Sequence, residues 1–473
     1  MNSGNKKIVH VLIALSVMFL ALTVYLTWFE VFLSPRYVAS SYNRRQQIAE
    51  GKVLRGSIFD RNGVVLAKSV MEKDQQQRIY PYGKLYSQVI GYNSRVYGRS
   101  LLELSYNSYL LGLDDYSKVL GVFGDSGNEM KSGCNLYTTL DHNIQKLGDR
   151  LLNGRKGAIA AIDPKTGEVI ALVSKPDFNP SEKSLDNNWK NMVESDDSPF
   201  LPRATMGLYV PGSTYKVATA ALAIENGLDD LRFDDKGTVS IDGRTFSNYN
   251  KKAYGDIDIS KGLAVSSNVV YSQLGVKLGE TRLSDMAGRL GMNRDIPFDL
   301  PVSQSTFRYR NMGETDMAAV GIGQGKLMVT PLHMAMIASS IANRGVMMEP
   351  RLVSRVSASN GHNVKVSKPS ELCRVMKADT AEKLKQMMQR VVEDGTGTKA
   401  AIKGVHVAGK TGTAENELSS RQKNKEHAWF IGFAPAEDPV IAVAVVLEYG
   451  GNSGGSAAAP IAGKIMAEYL KRQ

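Results

Sequence analysis

The order of strand and helix signals in this 473-residue chain predicts a mixed α+β fold for its longer, C-terminal part. Residues 158–162 and 168–173 are apolar runs on either side of Asp163-Pro164-Lys165-Thr166-Gly167, a turn sequence, so a hairpin opens this part. Helix signals then dominate to about residue 395. Strand signals return at 406–415, 428–433 and 440–447, before a last helix over 457–470. Strands at both ends with helices between them place the early hairpin and the three late strands in one sheet. Inside the helical stretch, Thr330-Pro331 is a cap followed by proline at the first helical position, which opens a helix to about residue 343. Leu384, Met387, Met388, Val391 and Val392 recur at helical spacing and read as a core-facing stripe, the methionines as core filling.

Residues 8–29 are mostly apolar and long enough to span a bilayer as a helix, with Tyr25 and Trp28 suited to the interface. Lys6 and Lys7 before the span favour an N-terminus inside, against the pull of Arg36, Arg44 and Arg45 beyond it. The competing reading is a signal peptide cleaved near Val38-Ala39-Ser40; the length of the apolar run favours an uncleaved anchor. Three units follow: tail and anchor over 1–34, a second unit over 35–150, and the α+β unit over 151–473. The second unit opens with a hairpin signal, Gly56 to Leu66 with Asn62-Gly63 at the turn. Residues 101–111 then read as a short helix ended by Gly112, and no catalytic constellation appears.

The apolar and charged fractions are those of a folded protein. The net charge of +11 is spread along the chain, which fits work near anionic lipids or polymers; no nucleic-acid recognition motif accompanies it. Cys134 and Cys373 are too few for a disulfide framework and lack metal-ligand spacing, and nothing in their placement decides whether they pair. His406 and His427 flank the late strands without a Ser-His-Asp or His-Glu-x-x-His arrangement, so they read as structural. No metal and no cofactor is expected.

The candidate chemistry lies in Tyr209-Val210-Pro211-Gly212-Ser213-Thr214-Tyr215-Lys216 and the apolar run after it. Pro211 and Gly212 break the chain, so Ser213 sits at a helix start, where free N–H groups and the helix dipole favour negative charge. Lys216 is one turn on, and its amine can take the Ser213 proton if burial and charge depress its pKa. Taken alone, Ser-x-x-Lys is weak: it recurs at Ser3/Lys6 and Ser420/Lys423, and Ser213 equally suits an N-cap. Two motifs add context in order, Ser266-Ser267-Asn268 in an expected helix over 263–274 and Lys410-Thr411-Gly412-Thr413 in a late strand. The set of three, in this order, is the specific signal. Gly321-Ile322-Gly323-Gln324-Gly325 fails the dinucleotide fingerprint and reads as a tight backbone segment.

With these motifs the chain resembles the class B penicillin-binding proteins, membrane-anchored serine D,D-transpeptidases of the bacterial cell wall. Arg55 to Gly63, Ala161 to Glu168, Gly323-Gln324-Gly325 with Thr330-Pro331, and Ala428-Trp429-Phe430-Ile431-Gly432 extend the likeness over nearly the whole chain. The resemblance implies a penicillin-binding, serine β-lactamase-like transpeptidase domain: an antiparallel sheet with flanking helices and an all-helical subdomain. A small dimerisation-like pedestal and one transmembrane helix would precede it. The pedestal is short for the family.

The resemblance also implies roles. Ser213 would be the nucleophile toward stem peptides ending in D-Ala-D-Ala, and Lys216 its base. Ser266 would relay a proton to the leaving amine, and Asn268 would hold the substrate amide and Lys216. Lys410, Thr411, Gly412 and Thr413 would receive the terminal carboxylate, and the backbone N–H groups of Ser213 and Thr413 would form the oxyanion hole. β-Lactams would acylate Ser213, and a RodA/FtsW-type glycosyltransferase is the implied membrane partner. The motifs alone leave open a D,D-carboxypeptidase or β-lactamase-type hydrolase and a non-catalytic penicillin sensor or scaffold. Anchor, pedestal and family pattern favour transfer, with the catalytic domain outside a single-pass bacterial cell-membrane anchor.

Overall fold

A computed structural model describes residues 3–29, 53–72, 75–113, 131–415, 426–450 and 453–473. Arg36, Val38-Ala39-Ser40, Arg44, Arg45 and the Ser420/Lys423 match lie outside the described residues. The apolar N-terminal run forms one helix, Ser3–Trp28, long and apolar enough to cross a membrane. Its hydroxyls do not interrupt the apolar surface: Thr23 and Thr27 each donate to the carbonyl four residues back, at 2.9 Å.

The principal sheet joins both ends of the α+β unit, as the strand signals require. Its five strands run in the order Val169–Lys175, Gly157–Ile162, Ile441–Leu447, His427–Ala434, Ala408–Ala414, every neighbouring pair antiparallel. Alternation along the strands divides two cores. Ala160, Trp429, Ile431 and Ala444 face the helix Pro331–Ala342, while Ile159, Phe430, Val443 and Val445 face His142–Leu151 and Ala459–Leu470. Burial on both faces explains why four of these strands, all but Ala408–Ala414, read as nearly continuous apolar runs. The expected cap is present: Thr330 Oγ1 accepts from His333 N at 3.2 Å, with Pro331 in the first turn. The stripe from Leu384 to Val392 is the buried face of helix Ala378–Glu393.

A second sheet has the strand order Asn363–Val366, Val353–Ser357, Asn135–Thr138, Ile58–Phe59, Val65–Glu72, Gln75–Ile79. The Asn62-Gly63 hairpin forms within it, but two of its strands come from residues 353–366, far along the chain. The helix expected over 101–111 is broken into Leu101–Ser105 and Asn107–Leu110, with Gly112 beyond at φ +62°. Two side-chain contacts lie at the break, the first of them on a main-chain acceptor of the helix. Arg55 Nη2 takes the helix carbonyl of Glu103 at 2.7 Å, and the Tyr106 hydroxyl donates to Asp299.

Glu103 is the centre of this unit's polar core. Its side chain is fully buried and receives Arg55 Nε and Arg78 Nε, each at 2.7 Å. Glu103→Ala would leave two guanidinium groups buried without a counter-charge. It should lower unfolding stability by about 3–5 kcal/mol, read as an earlier denaturant midpoint, with Glu103→Gln falling between it and wild type.

Candidate active site

Backbone contacts hold residues 209–213 before any side chain acts. Tyr209 exchanges two backbone hydrogen bonds with Val329, at 3.0 and 2.8 Å. Gly212 adopts φ +54° and donates its N–H to Gly323 O at 2.9 Å. A Cβ on Gly212 would lie 2.8 Å from Thr413 O, and one on Gly323 would lie 2.0 Å from Gly212 O. Only glycine permits this approach, which sets Ser213 beside the Ala408–Ala414 strand and makes the 321–325 segment tight. The helix starts as a 3-10 turn, Gly212–Tyr215, and becomes an α-helix at Lys216–Glu225. Ser213 is partly exposed in that turn, while Lys216 is fully buried.

Lys216 Nζ donates to Ser266 O and Asn268 Oδ1, both at 2.8 Å; Ser266 Oγ is farther, at 3.4 Å. These two short bonds use both N–H groups of a neutral amine and leave its lone pair unspent. Lys410, also fully buried, donates to Ser266 Oγ and to Thr411 O, both at 2.9 Å. The Ser266 hydroxyl therefore stands between two lysines.

Ser266 does not lie on a helix, contrary to the expectation. The chain forms Ile259–Ala264, turns through Ser266 at φ +60°, and restarts as Asn268–Arg289. Ser267 caps the second helix by accepting from Val270 N at 3.0 Å. Ser-Ser-Asn is a capping sequence, and that signal could have placed the break. The turn aims Ser266 O and Oγ and Asn268 Oδ1 at the lysines, and Asn268 Nδ2 is anchored on Ser247 O at 2.7 Å.

The third motif occupies the edge strand of the principal sheet, in register with 427–434. Thr413 is exposed, Gly412 packs where a Cβ would meet Thr214 and Trp429, and the Thr411 hydroxyl pairs with Thr396 Oγ1 at 2.6 Å. The structure thus brings Lys216, Ser266, Asn268 and Lys410 into direct contact, with Ser213 and Thr413 on the adjoining backbone. Sequence reasoning missed Thr396, Asp235 and Asn248. Thr396 lies between two glycines, a usable hint, whereas Asp235 and Asn248 reach the site only through tertiary folding. His427 is buried against Tyr209 and Tyr449, and its Nδ1 accepts from Tyr449 N at 3.3 Å.

Burial dominates the electrostatics. It drives the Lys216 pKa well below the usual lysine value, the Lys410 charge lowers it further, and Asp235 opposes both. Burial brings Lys410 down to about 7. A general base that is neutral near physiological pH is what a serine nucleophile needs.

Comparison with known proteins agrees with this geometry. The model of the penicillin binding protein transpeptidase domain matches residues 157–467, and that of the penicillin binding protein A dimerisation domain matches residues 55–134. This chain belongs to the penicillin-binding protein transpeptidases. It is 33% identical over 491 residues to the peptidoglycan D,D-transpeptidase PbpA of Mycobacterium tuberculosis, covering 98% of this chain and 97% of that one. The penicillin G acyl-enzyme structure of M. tuberculosis penicillin-binding protein A superposes with TM-score 0.82 at 31% identity, over 88% of this chain and 99% of that one. A transpeptidase domain from Eggerthella lenta gives TM-score 0.78 at 36% identity, covering 89% and 100%.

For a penicillin-binding protein with these two lysines, the second-order rate of acylation by penicillin should be bell-shaped in pH. The rising limb, from deprotonation of Lys216, should lie far below pH 10.5. The falling limb, from loss of the Lys410 charge, should lie near pH 7. Lys410→Arg, which stays charged, should remove the falling limb; Lys216→Arg, which cannot act as a base, should slow acylation by about 10²-fold or more.

Proposed function

We propose that this protein is a serine D,D-transpeptidase that cross-links peptidoglycan stem peptides through an acyl-enzyme on Ser213. The observation that carries the reading is the Lys216–Ser266–Lys410 cluster with both lysines buried, set behind a partly exposed serine and an edge strand on which Thr413 is exposed. Each step can be assigned to a group. A stem peptide lies along the Ala408–Ala414 edge as an added strand, its D-Ala carboxylate taken by Lys410 with the Thr411 and Thr413 hydroxyls. Lys216 accepts the Ser213 proton as Oγ attacks the penultimate D-Ala carbonyl. The oxyanion is held by the N–H groups of Ser213 and Thr413, charge that exists only in the transition state. As the tetrahedral intermediate collapses, the C–N bond breaks and the proton passes from Lys216 through Ser266 to the departing D-Ala amine. Asn268 keeps Lys216 in line and holds the substrate amide.

An amine from a neighbouring stem peptide then attacks the ester, loses its proton to Lys216, and Ser213 leaves with that proton. A β-lactam enters the first half of this cycle, but its amine stays tethered and the ester persists. The apolar helix supports a single-pass anchor in the bacterial cell membrane, N-terminus inside and catalytic domain outside. The span and the pedestal are the surfaces assigned to a RodA/FtsW-type glycosyltransferase.

Intact mass of the full chain after incubation with penicillin G should show one long-lived adduct, absent in Ser213→Ala. Rapid loss of the adduct with continuing drug turnover would replace transfer by hydrolysis, and an adduct surviving in Ser213→Ala would overturn the assignment of the nucleophile.

A further inference from the structure

Behind the Ser266–Asn268 turn lies a buried carboxylate that none of these steps uses. Asp235 is wholly buried, at the end of strand Arg232–Asp235. Its oxygens accept from Gly237 N at 2.9 Å, from Asn248 Nδ2 at 2.8 and 2.9 Å, and from Ser267 Oγ at 2.6 Å. All of these donors are neutral, and among the described residues no lysine or arginine forms an ion pair with it. An anion held this way inside a protein needs compensation from beyond its hydrogen-bond shell.

Its donors lead to the active site. Ser267 caps the helix that starts at Asn268 and is kinked at Gly279, and its N-terminus favours negative charge. Asn248 Oδ1 accepts from Asn268 N at 2.7 Å and Val269 N at 3.1 Å, and Asn268 Oδ1 is the Lys216 partner. The charged groups near this carboxylate are few. Lys216, on the helix Lys216–Glu225, is the cation that feels Asp235, and Tyr254 stands on the loop before strand Gly255–Asp258. On the surrounding hairpins, Arg232 is paired with Asp256, and Lys236 with Asp234, all four largely exposed. Asp258 caps the next helix through Lys261 N, and Lys251 and Lys252 belong to the outer loop.

We propose that Asp235 is a positioning residue for acyl transfer: it locks Asn248 and Ser267 so that Asn268 meets Lys216, and it supplies a buried negative charge on the Lys216 side of the site. The proposal rests on the reading of Ser213 as nucleophile and Lys216 as its base. Asp235 opposes the effects of burial and of Lys410 on Lys216, so it keeps the base strong enough to hold the Ser213 proton. Geometry and charge separate on substitution. Asp235→Asn removes the charge, whereas Ser267→Ala removes a hydrogen bond and keeps it.

The test is the pH dependence of acylation of the full chain in detergent by a fluorescent penicillin. Asp235→Asn should shift the rising limb to lower pH, because the negative charge that favours protonated Lys216 is gone. Ser267→Ala should slow acylation on the plateau and leave the limb in place. Asp235→Ser, whose hydroxyl can still accept from Gly237 N–H, provides the second neutral variant if the first does not fold. A rising limb that stays put, or moves to higher pH, in the folded neutral variant overturns the proposal. Wild-type protein that is not labelled on Ser213 overturns the functional reading instead, so the two failures are distinguishable.

Discussion

Two lysines inside one hydrogen-bonded cluster are the constraint on which the catalytic unit depends. Lys216 and Lys410 are both fully buried and both reach the Ser266 hydroxyl, at 3.4 and 2.9 Å. Two ammonium groups cannot share such a space without one giving up its proton. The fold therefore creates a base chiefly by burying Lys216, and further by placing a second cation near it, where other serine enzymes use histidine. This also explains the polar shell. Lys216 as an amine has two N–H groups, and two carbonyl-type oxygens at 2.8 Å accept them. The remaining lone pair is the chemical resource of the site.

Holding that cluster requires parts from distant stretches of sequence, and backbone contact does most of the holding. Gly212 touches Gly323 and Thr413 through main-chain atoms, so the nucleophile turn is fixed without side-chain rotamers. Edge position matters as much. The Ala408–Ala414 strand has one neighbour in its sheet, leaving its other side able to receive an extended peptide. Exposed edges are ordinarily an aggregation liability; here Thr413 faces outward and Lys410 inward, so the edge is polar and short.

Local signals made part of this legible. Ser213 and Lys216 share a turn that Pro211 and Gly212 announce, and the Lys410 motif lies among the late strand signals over 406–415. The five-stranded sheet followed from strands at both ends of the region. Where a side chain's partner is remote, the sequence was silent. A helix through 263–274 is the expectation for Ser266, yet Ser267 caps a new helix and donates to Asp235, 32 residues earlier in sequence. The helix over 101–111 has regular periodicity too, but Arg55 and Asp299 take polar groups from it. Asn248 carries no motif at all, and Thr396 has only its flanking glycines Gly395 and Gly397; their importance is their position.

The same remote contacts tie the pedestal to the catalytic unit. Glu168, at the start of strand Val169–Lys175, accepts from Arg61 of the pedestal hairpin and from Arg351, the latter at 2.5 Å. Asp299 accepts from Leu352 N at 2.7 Å and Val353 N at 3.0 Å while also receiving the Tyr106 hydroxyl. Residues 353–366 then continue into the pedestal sheet. Movement of the pedestal against the catalytic sheet would have to break partly buried ion pairs and backbone bonds together, since neither set can be released without straining the other. The pedestal is therefore a continuation of the catalytic framework, built from two chain segments that only the folded state brings together.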